Sequence, residues 1–308
     1  MRVLIVGASG FIGHHLRRRL TQNADFEVTG TYNARAPENI DNSWYALEIT
    51  DHRRLDQIFQ RVMPEVVVLL AAIADVKTAE TNPERATNVN VNGARNVSRL
   101  CRGYNARLVF LSSEYVFKGD LGNYKEDEEP NPDTQYGRTK WQAEIAIAEE
   151  ACDWSIIRTS VVFGWPITGR RNIATAIIDR LRDGKTFEGD ASTYRSPIYA
   201  DHLTEGIAQL IKDYQPGTFH IAGTDWMNMY QFGLAVAKVF ELDNTLVTQV
   251  PTSHDLPSRN TAPEEIIQAP RPDILGLNCN RTTQMLGLPT FSVVSGLRDM
   301  LVSFGTQP

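Results

Sequence analysis

Short apolar runs recur through the first half of the chain, and stretches of helical periodicity separate them. The runs are RVLIVG (2–7), FEVTGTY (26–32), VVVLLAA (66–72), RLVFLSS (107–113) and WSIIRTSVVFG (154–164). Strands that are apolar almost throughout need cover on both faces, which points to a parallel sheet between helical layers. ARNVSRLCRGY (94–104) and TKWQAEIAIAEEAC (139–152) supply helical patterns between the runs. The alternation predicts an α/β fold with a doubly wound parallel sheet.

After Gly164 the rhythm loosens. The turn WPITGRR leads to a helix expected over about 172–183. SPIYADHLTEGIAQLI followed by GTFHIAG reads as helix then strand and is expected to extend the same sheet. Asn228 and Gln231 form a capping-box pattern at the start of the helix MYQFGLAVAKVFEL. Residues 251–290 hold six prolines and little periodicity, so that stretch is expected to be loop-rich. No internal repeat or low-complexity linker interrupts the chain.

Composition narrows the function classes. With 308 residues, 42% of them hydrophobic, the chain can bury a sizeable core. A net charge of −6 offers no basic surface for nucleic acid or an anionic membrane. Three consecutive arginines in HHLRRRL (14–20) spread around a helix and are expected to form a solvated face. Cys101, Cys152 and Cys279 are widely spaced and outside any C-x-x-C, which suggests a reducing compartment and no metal site. No apolar leader follows Met1, and the run VVVLLAAIA is too short to cross a bilayer, so a cytoplasmic protein is expected.

The N-terminal stretch VLIVGASGFIGHHL places Gly7, Gly10 and Gly13 directly between the first strand and the first helix. Glycines allow a sharp turn and close approach to a pyrophosphate, and the helix N-terminus presents free N–H groups and a partial positive charge. The pattern makes the sheet a Rossmann-type dinucleotide-binding unit, with Ser9, Phe11 and Ile12 completing the loop. Downstream, QYGRTK sets Tyr136 and Lys140 four residues apart, on one face of a helix.

The G-x-x-G-x-x-G spacing with Tyr136-x-x-x-Lys140 resembles the short-chain dehydrogenase/reductase superfamily in its extended branch. LSSEYVFKGD (111–120), YKEDEEPNPDTQYGRTK (124–140), RTSVVFG (158–164), YRSPIYADHL (194–203) and RPDILGLNCNR (271–281) resemble, in order, the landmarks of the dTDP-4-dehydrorhamnose reductase family. The resemblance implies a discontinuous organisation: residues 1–165 and 197–224 form the NAD(P)-binding domain, and 166–196 with 225–308 the smaller substrate lobe. It implies reduction of a keto group on a nucleotide-activated deoxysugar, with Tyr136 as general acid, Lys140 lowering the tyrosine's pKa and bonding the nicotinamide ribose, and Ser113 binding the substrate oxygen. A free tyrosine has a pKa near ~10, and a cation within ~4–6 Å lowers such a value by ~1–3 units. Ser112 and Asn90 read as structural.

Other cofactor contacts follow by position. Ala71, Ala72 and Ile73 close the fourth strand beside the cofactor, Glu48 and Ile49 lie toward adenine, and Thr159 lies near the nicotinamide. Where NAD-selective sites carry an acid, this chain has Asn33, with Arg35 two places on. That favours NADPH, with NADH as the alternative. On the substrate side the resemblance points to Val76, Lys77, Ser113, Val161, Arg195 and Arg271. Val161 stands where the rhamnose-forming enzymes carry an aromatic residue, and Lys77 where they carry an acid, so the sugar is expected to differ. The resemblance also admits a homodimer, a nucleotide-sugar epimerase or dehydratase, and a cofactor-binding regulatory subunit like the β subunit of methionine adenosyltransferase. Glu114 does not discriminate among these, whereas the intact Ser113, Tyr136 and Lys140 favour an enzyme.

Overall fold

The apolar runs become strands because only sheet pairing satisfies their backbone while both faces are covered. In the computed structural model, which describes residues 1–38, 40–150, 153–166, 171–250 and 272–304, β1 (Arg2–Val6) leads through the glycine turn into α1 (Phe11–Thr21). Then come β2 (Glu27–Tyr32), β3 (Trp44–Ala46), α2 (His52–Val62), β4 (Val66–Leu69), α3 (Val76–Thr81) and α4 (Pro83–Thr87). A π-helical turn over Asn88–Asn92 joins α4 to α5 (Gly93–Tyr104), which is followed by β5 (Arg107–Ser113), α6 (Gln135–Glu150) and β6 (Trp154–Thr159).

WSIIRTSVVFG does not form one strand as its apolar run suggests. The chain breaks after Thr159 and resumes as β7 (Val162–Phe163), because Val161 turns its carbonyl to the amide of Ile198 at 2.9 Å. There follow α7 (Ile173–Arg182), β8 (Phe187–Asp190), β9 (Tyr194–Arg195), β10 (Ile198–Tyr199), α8 (Ala200–Lys212) and β11 (Gly217–His220). The chain continues through β12 (Met227–Asn228), α9 (Met229–Val239), β13 (Val247–Val250), α10 (Asn280–Leu286) and α11 (Val293–Phe304). Reciprocal capping boxes start α7 at Asn172 and α9 at Asn228.

Seven strands form the main sheet in the order β11-β6-β5-β4-β1-β2-β3, all parallel. The order reverses between β1 and β4, which opens a crevice at the carboxyl ends of those strands. Leu16 and Leu20 of α1 and Leu203, Ile207 and Leu210 of α8 cover one face. Phe59 of α2, Val97 of α5 and Ile147 of α6 cover the other. A separate core around Phe163, Ile177, Phe232, Val236, Leu297 and Met300 packs α7, α9 and α11 together. The segment expected to extend the sheet does so through α8 and β11.

The three arginines of α1 are not a solvated face. Arg17 bonds Ser43 and lies over the Trp44 ring at 4.6 Å, while Arg18 pairs with Asp201 at 2.7 Å. Arg19 donates to the Asp201 carbonyl at 3.0 Å. Buried His15 shares a 2.7 Å hydrogen bond with the same Asp201 carboxylate. The helix docks on α8 and on the β3 edge with its polar side chains as well as its apolar ones. No helix among the described residues is long and apolar enough to cross a membrane.

Candidate active site

The glycine turn shows why its spacing tolerates no side chains. Gly7 has φ +95°, a left-handed conformation, and a Cβ there would stand 2.7 Å from the amide of Ala71. A Cβ on Gly13 would come within 2.3 Å of the Gly7 carbonyl, which also accepts the Gly10 N–H at 3.1 Å. The amide of Ser9 anchors the turn to Thr31. No side chain caps α1, so the N–H groups of Phe11, Ile12 and Gly13 stay available to an anion. These features, with small Ala71 and Ala72 alongside, fit a dinucleotide lying across the switch point.

Around that turn the structure sorts the remaining cofactor residues. Ile73 is fixed by Asn90, whose side chain accepts the Ile73 N–H at 2.8 Å and donates to its carbonyl and to Thr139. Asn90 lies within the π-helical turn, a local widening that often occurs at functional sites. Asn33 donates to Glu48 at 2.7 Å, and both are exposed, as is Arg35. Ile49 is buried against Gly93 in the core beneath that pair. Thr159, at the end of β6, is buried with its hydroxyl unpartnered, an orphaned polar atom that fits a bound amide or ribose group.

Ser113, Tyr136 and Lys140 converge at the carboxyl end of β5. Thr134 caps the start of α6 by accepting the Gly137 N–H at 2.9 Å. Gly137 brings the helix onto the Tyr115 carbonyl so closely that a Cβ there would stand 2.0 Å from it. Tyr136 therefore lies against Val76, Ala79 and Ala86, edge-on to the Tyr115 ring at 5.6 Å between centroids. Lys140 is 3% exposed, with Nζ donating to the Leu111 carbonyl at 2.7 Å and resting 4.0 Å above the Phe110 ring.

The electrostatics differ from the sequence expectation in one respect. Burial pushes the Tyr136 phenol up to about 12, opposed by the nearby Ser113 hydroxyl and reinforced by Tyr115 and Glu114. Lys140 does not bring it down, because the lysine is turned to the end of β5 and burial lowers its own value to about 7. In this state Tyr136 is a firmly protonated donor.

The substrate-side residues separate into two groups. Val76 packs with Tyr136 and Tyr115, Lys77 is exposed on α3, and Val161 is half-buried at the break between β6 and β7. Arg195, expected to meet a pyrophosphate, is 5% exposed and spends its donors inside the protein. They reach the carbonyls of Pro272 at 2.7 Å, Tyr194 at 2.7 Å and Asp273 at 3.3 Å, because β9 and residues 272–275 need a partner for those groups. Its Nε lies 3.5 Å from the Glu114 carboxylate. Arg271 falls outside the described residues.

Several residues that shape the site were not among the site residues expected from the sequence. Gly137 sets the helix approach, Tyr115 walls the tyrosine, and Glu144 and Arg158 form a buried ion pair at 2.8 Å behind Lys140. For Gly137 and Glu144 the available signal was their place in YGRTKWQAE: a glycine after the tyrosine and an acid one helical turn past the lysine.

Comparisons with known proteins agree with this fold. The beta subunit of methionine adenosyltransferase 2 from Bos taurus is 27% identical over 286 residues, covering 91% of this chain and 81% of that protein. The dTDP-4-dehydrorhamnose reductase of Bacillus anthracis, solved in complex with NADP, superposes with a TM-score of 0.82 at 25% identity, covering 98% of this chain and 99% of that one. The UDP-glucose 4-epimerase of Thermus thermophilus, solved with NAD, shares the fold with a TM-score of 0.82 at 20% identity and full coverage of both chains. The RmlD substrate binding domain matches residues 1–305, so the chain, with its Rossmann sheet and extended short-chain dehydrogenase/reductase architecture, belongs to that family.

Proposed function

We propose that the protein is an NAD(P)H-dependent reductase of a keto group on a nucleotide-activated deoxysugar. The observation that carries this reading is the meeting of Ser113, Tyr136 and Lys140 at the edge of the crevice that the glycine turn opens. When bound, a reduced nicotinamide supplies the hydride for the ketone. Tyr136 donates its proton to the carbonyl oxygen as negative charge develops there. Ser113 holds the same oxygen by a hydrogen bond, which favours the charge-bearing state over the ground state. Lys140 positions the nicotinamide ribose, and Ser113 favours the phenolate that remains. Thr159 and Ala71 border the place for the nicotinamide and central ribose, and Asn33, Arg35 and Glu48 border the adenosine end. NADPH is the preferred cofactor in this reading, since β2 ends without an acid and Arg35 makes no ion pair among the described residues.

The sugar is one other than dTDP-4-dehydrorhamnose. Val161 cannot stack on a pyranose as an aromatic ring does, and Lys77 adds a positive charge beside Val76, which packs on Tyr136. A ligand with an extra anionic or acceptor group fits these positions. A panel of nucleotide-linked 4-keto sugars, followed by NADPH absorbance, tests the reading. The expected result is consumption with at least one panel member and slow turnover of dTDP-4-dehydrorhamnose.

The similarity to a methionine adenosyltransferase subunit over 91% of the chain favours a second reading, a cofactor-binding subunit of a larger assembly. That reading predicts no NADPH consumption with any keto sugar and tight binding of a partner protein.

A further inference from the structure

Behind the three proposed catalytic residues lies a buried ion pair that proton transfer itself does not use. Glu144 follows Lys140 by one turn of α6 and is 2% exposed. Its carboxylate accepts from the Ser112 hydroxyl, from Arg158 Nη2 at 2.8 Å and from Arg158 Nε at 3.2 Å. Arg158 is 3% exposed; its Nη1 reaches the Glu126 carbonyl at 3.4 Å, and its guanidinium lies 5.0 Å above the Phe117 ring. Ser112 directly precedes Ser113 on β5, and Arg158 directly precedes Thr159 on β6. Glu144 shares its helix with Tyr136 and Lys140. One carboxylate thus ties together the three elements that carry the site.

Stability alone is a weak reason to keep such a pair, because desolvating both ions offsets most of their attraction. The surroundings of Lys140 supply a better one. The Leu111 carbonyl and Phe110 ring on β5 face it directly, Tyr136 and Glu144 lie one turn before and after it on α6, and Arg158 on β6 and Ser112 on β5 hold Glu144. Burial disfavours the ammonium, and the Glu144 carboxylate opposes it. Arg158 and Ser112 hold that carboxylate in place.

We propose that Glu144 is a positioning residue: locked by Ser112 and Arg158, it keeps the Lys140 side chain charged and seated at the end of β5. The inference rests on the role given to Lys140 above. Removing the negative charge lets burial act unopposed, so the lysine's midpoint falls and less of it is charged at neutral pH. Residues one helical turn apart have Cβ atoms about 5–6 Å apart, and an opposite charge within ~4–6 Å is worth about one pKa unit or more.

Carbon-13 NMR of lysine-labelled full-length protein, with the Lys140 Cε signal assigned by its loss in Lys140→Met, reads this directly. The unmodified protein is expected to titrate near 7, Glu144→Gln about one unit or more lower, and Glu144→Asp close to the unmodified protein. NADPH affinity in Glu144→Gln should be about fivefold or more weaker at neutral pH and recover as pH falls, whereas a purely structural defect lowers it equally at every pH. Because Glu144→Gln leaves Arg158 buried without its partner, the double variant Glu144→Gln/Arg158→Met is measured as well, with the same downward shift expected. An unchanged Lys140 midpoint in either folded variant overturns the proposal. The titration needs no substrate, so its failure leaves the reductase reading standing, and a silent substrate panel leaves the titration standing.

Discussion

Tyr136 holds its proton because burial raises the phenol to about 12, so at neutral pH it gives that proton up only to an oxygen that is gaining charge. That suits a reduction better than an oxidation in the resting state, and it makes Ser113, the group that favours the phenolate, the residue that eases the transfer. At the other end of the crevice the proposed NADPH preference rests on a single exposed cation, Arg35. A charge-assisted hydrogen bond from Arg35 to a 2′-phosphate contributes about 1.5–3 kcal/mol. Arg35→Ala is therefore expected to weaken NADPH binding about ten- to a hundredfold and to leave NADH binding unchanged. Fluorescence titrations with both cofactors check this, and equal curves for the unmodified protein would remove Arg35 from the account.

Helix α6 depends on one close approach for its function. With a Cβ at Gly137 placed 2.0 Å from the Tyr115 carbonyl and 2.9 Å from Pro132, the first turn must move outward and carry Tyr136 with it. Gly137→Ala is expected to cost about 1–3 kcal/mol in urea melts and to reduce turnover far more than NADPH affinity. An unshifted melt would show that the turn yields without strain. The periodicity of QYGRTKWQAE gave the helix and the Tyr136/Lys140 face, but contacts to Tyr115, Ser112 and Arg158 come from other elements and leave no period in the sequence. The same reason hid the docking role of Arg17, Arg18 and Arg19: a helical wheel cannot see that α8 and Trp44 lie opposite. Conversely, the glycine turn was legible because its chemistry is local, a strand, a turn and a helix within a few residues. WSIIRTSVVFG misled because an apolar run does not reveal where a strand changes partners.

Across the whole molecule, Glu114 and Arg195 join the end of β5 to β9. Burial is the main cause that raises Glu114 to about 7; Arg195 opposes it, and Ser160 and the Gly276 amide stand near without closing a hydrogen bond to either oxygen. A carboxyl whose folded value lies above its unfolded one contributes stability that is complete below the ordinary value of 4.5 and fades as pH rises through 7. Over that window the loss amounts to about 3 kcal/mol. Glu114→Gln should be free of it, so chemical denaturation at a series of pH values should show a shallower decline from pH 5 to 7.5 than in the unmodified protein. Parallel profiles would mean that the carboxylate is solvated or fully paired in the folded state. The parallel order of the main sheet was legible in outline from the apolar runs. The grip of Arg195 on the Pro272, Tyr194 and Asp273 carbonyls was not, since a buried arginine and a phosphate-binding one look alike in sequence.

The central claim, that Tyr136 is the proton donor of a keto-sugar reductase, is met most directly by comparing the turnover of Tyr136→Phe with that of the unmodified protein on the best substrate of the panel. NADPH saturation is verified for both. The phenylalanine keeps the ring packed against Val76 and Tyr115 and removes only the hydroxyl. The account predicts a fall in turnover of about 100- to 10,000-fold with cofactor affinity little changed. Turnover within a few-fold of the unmodified protein would contradict it.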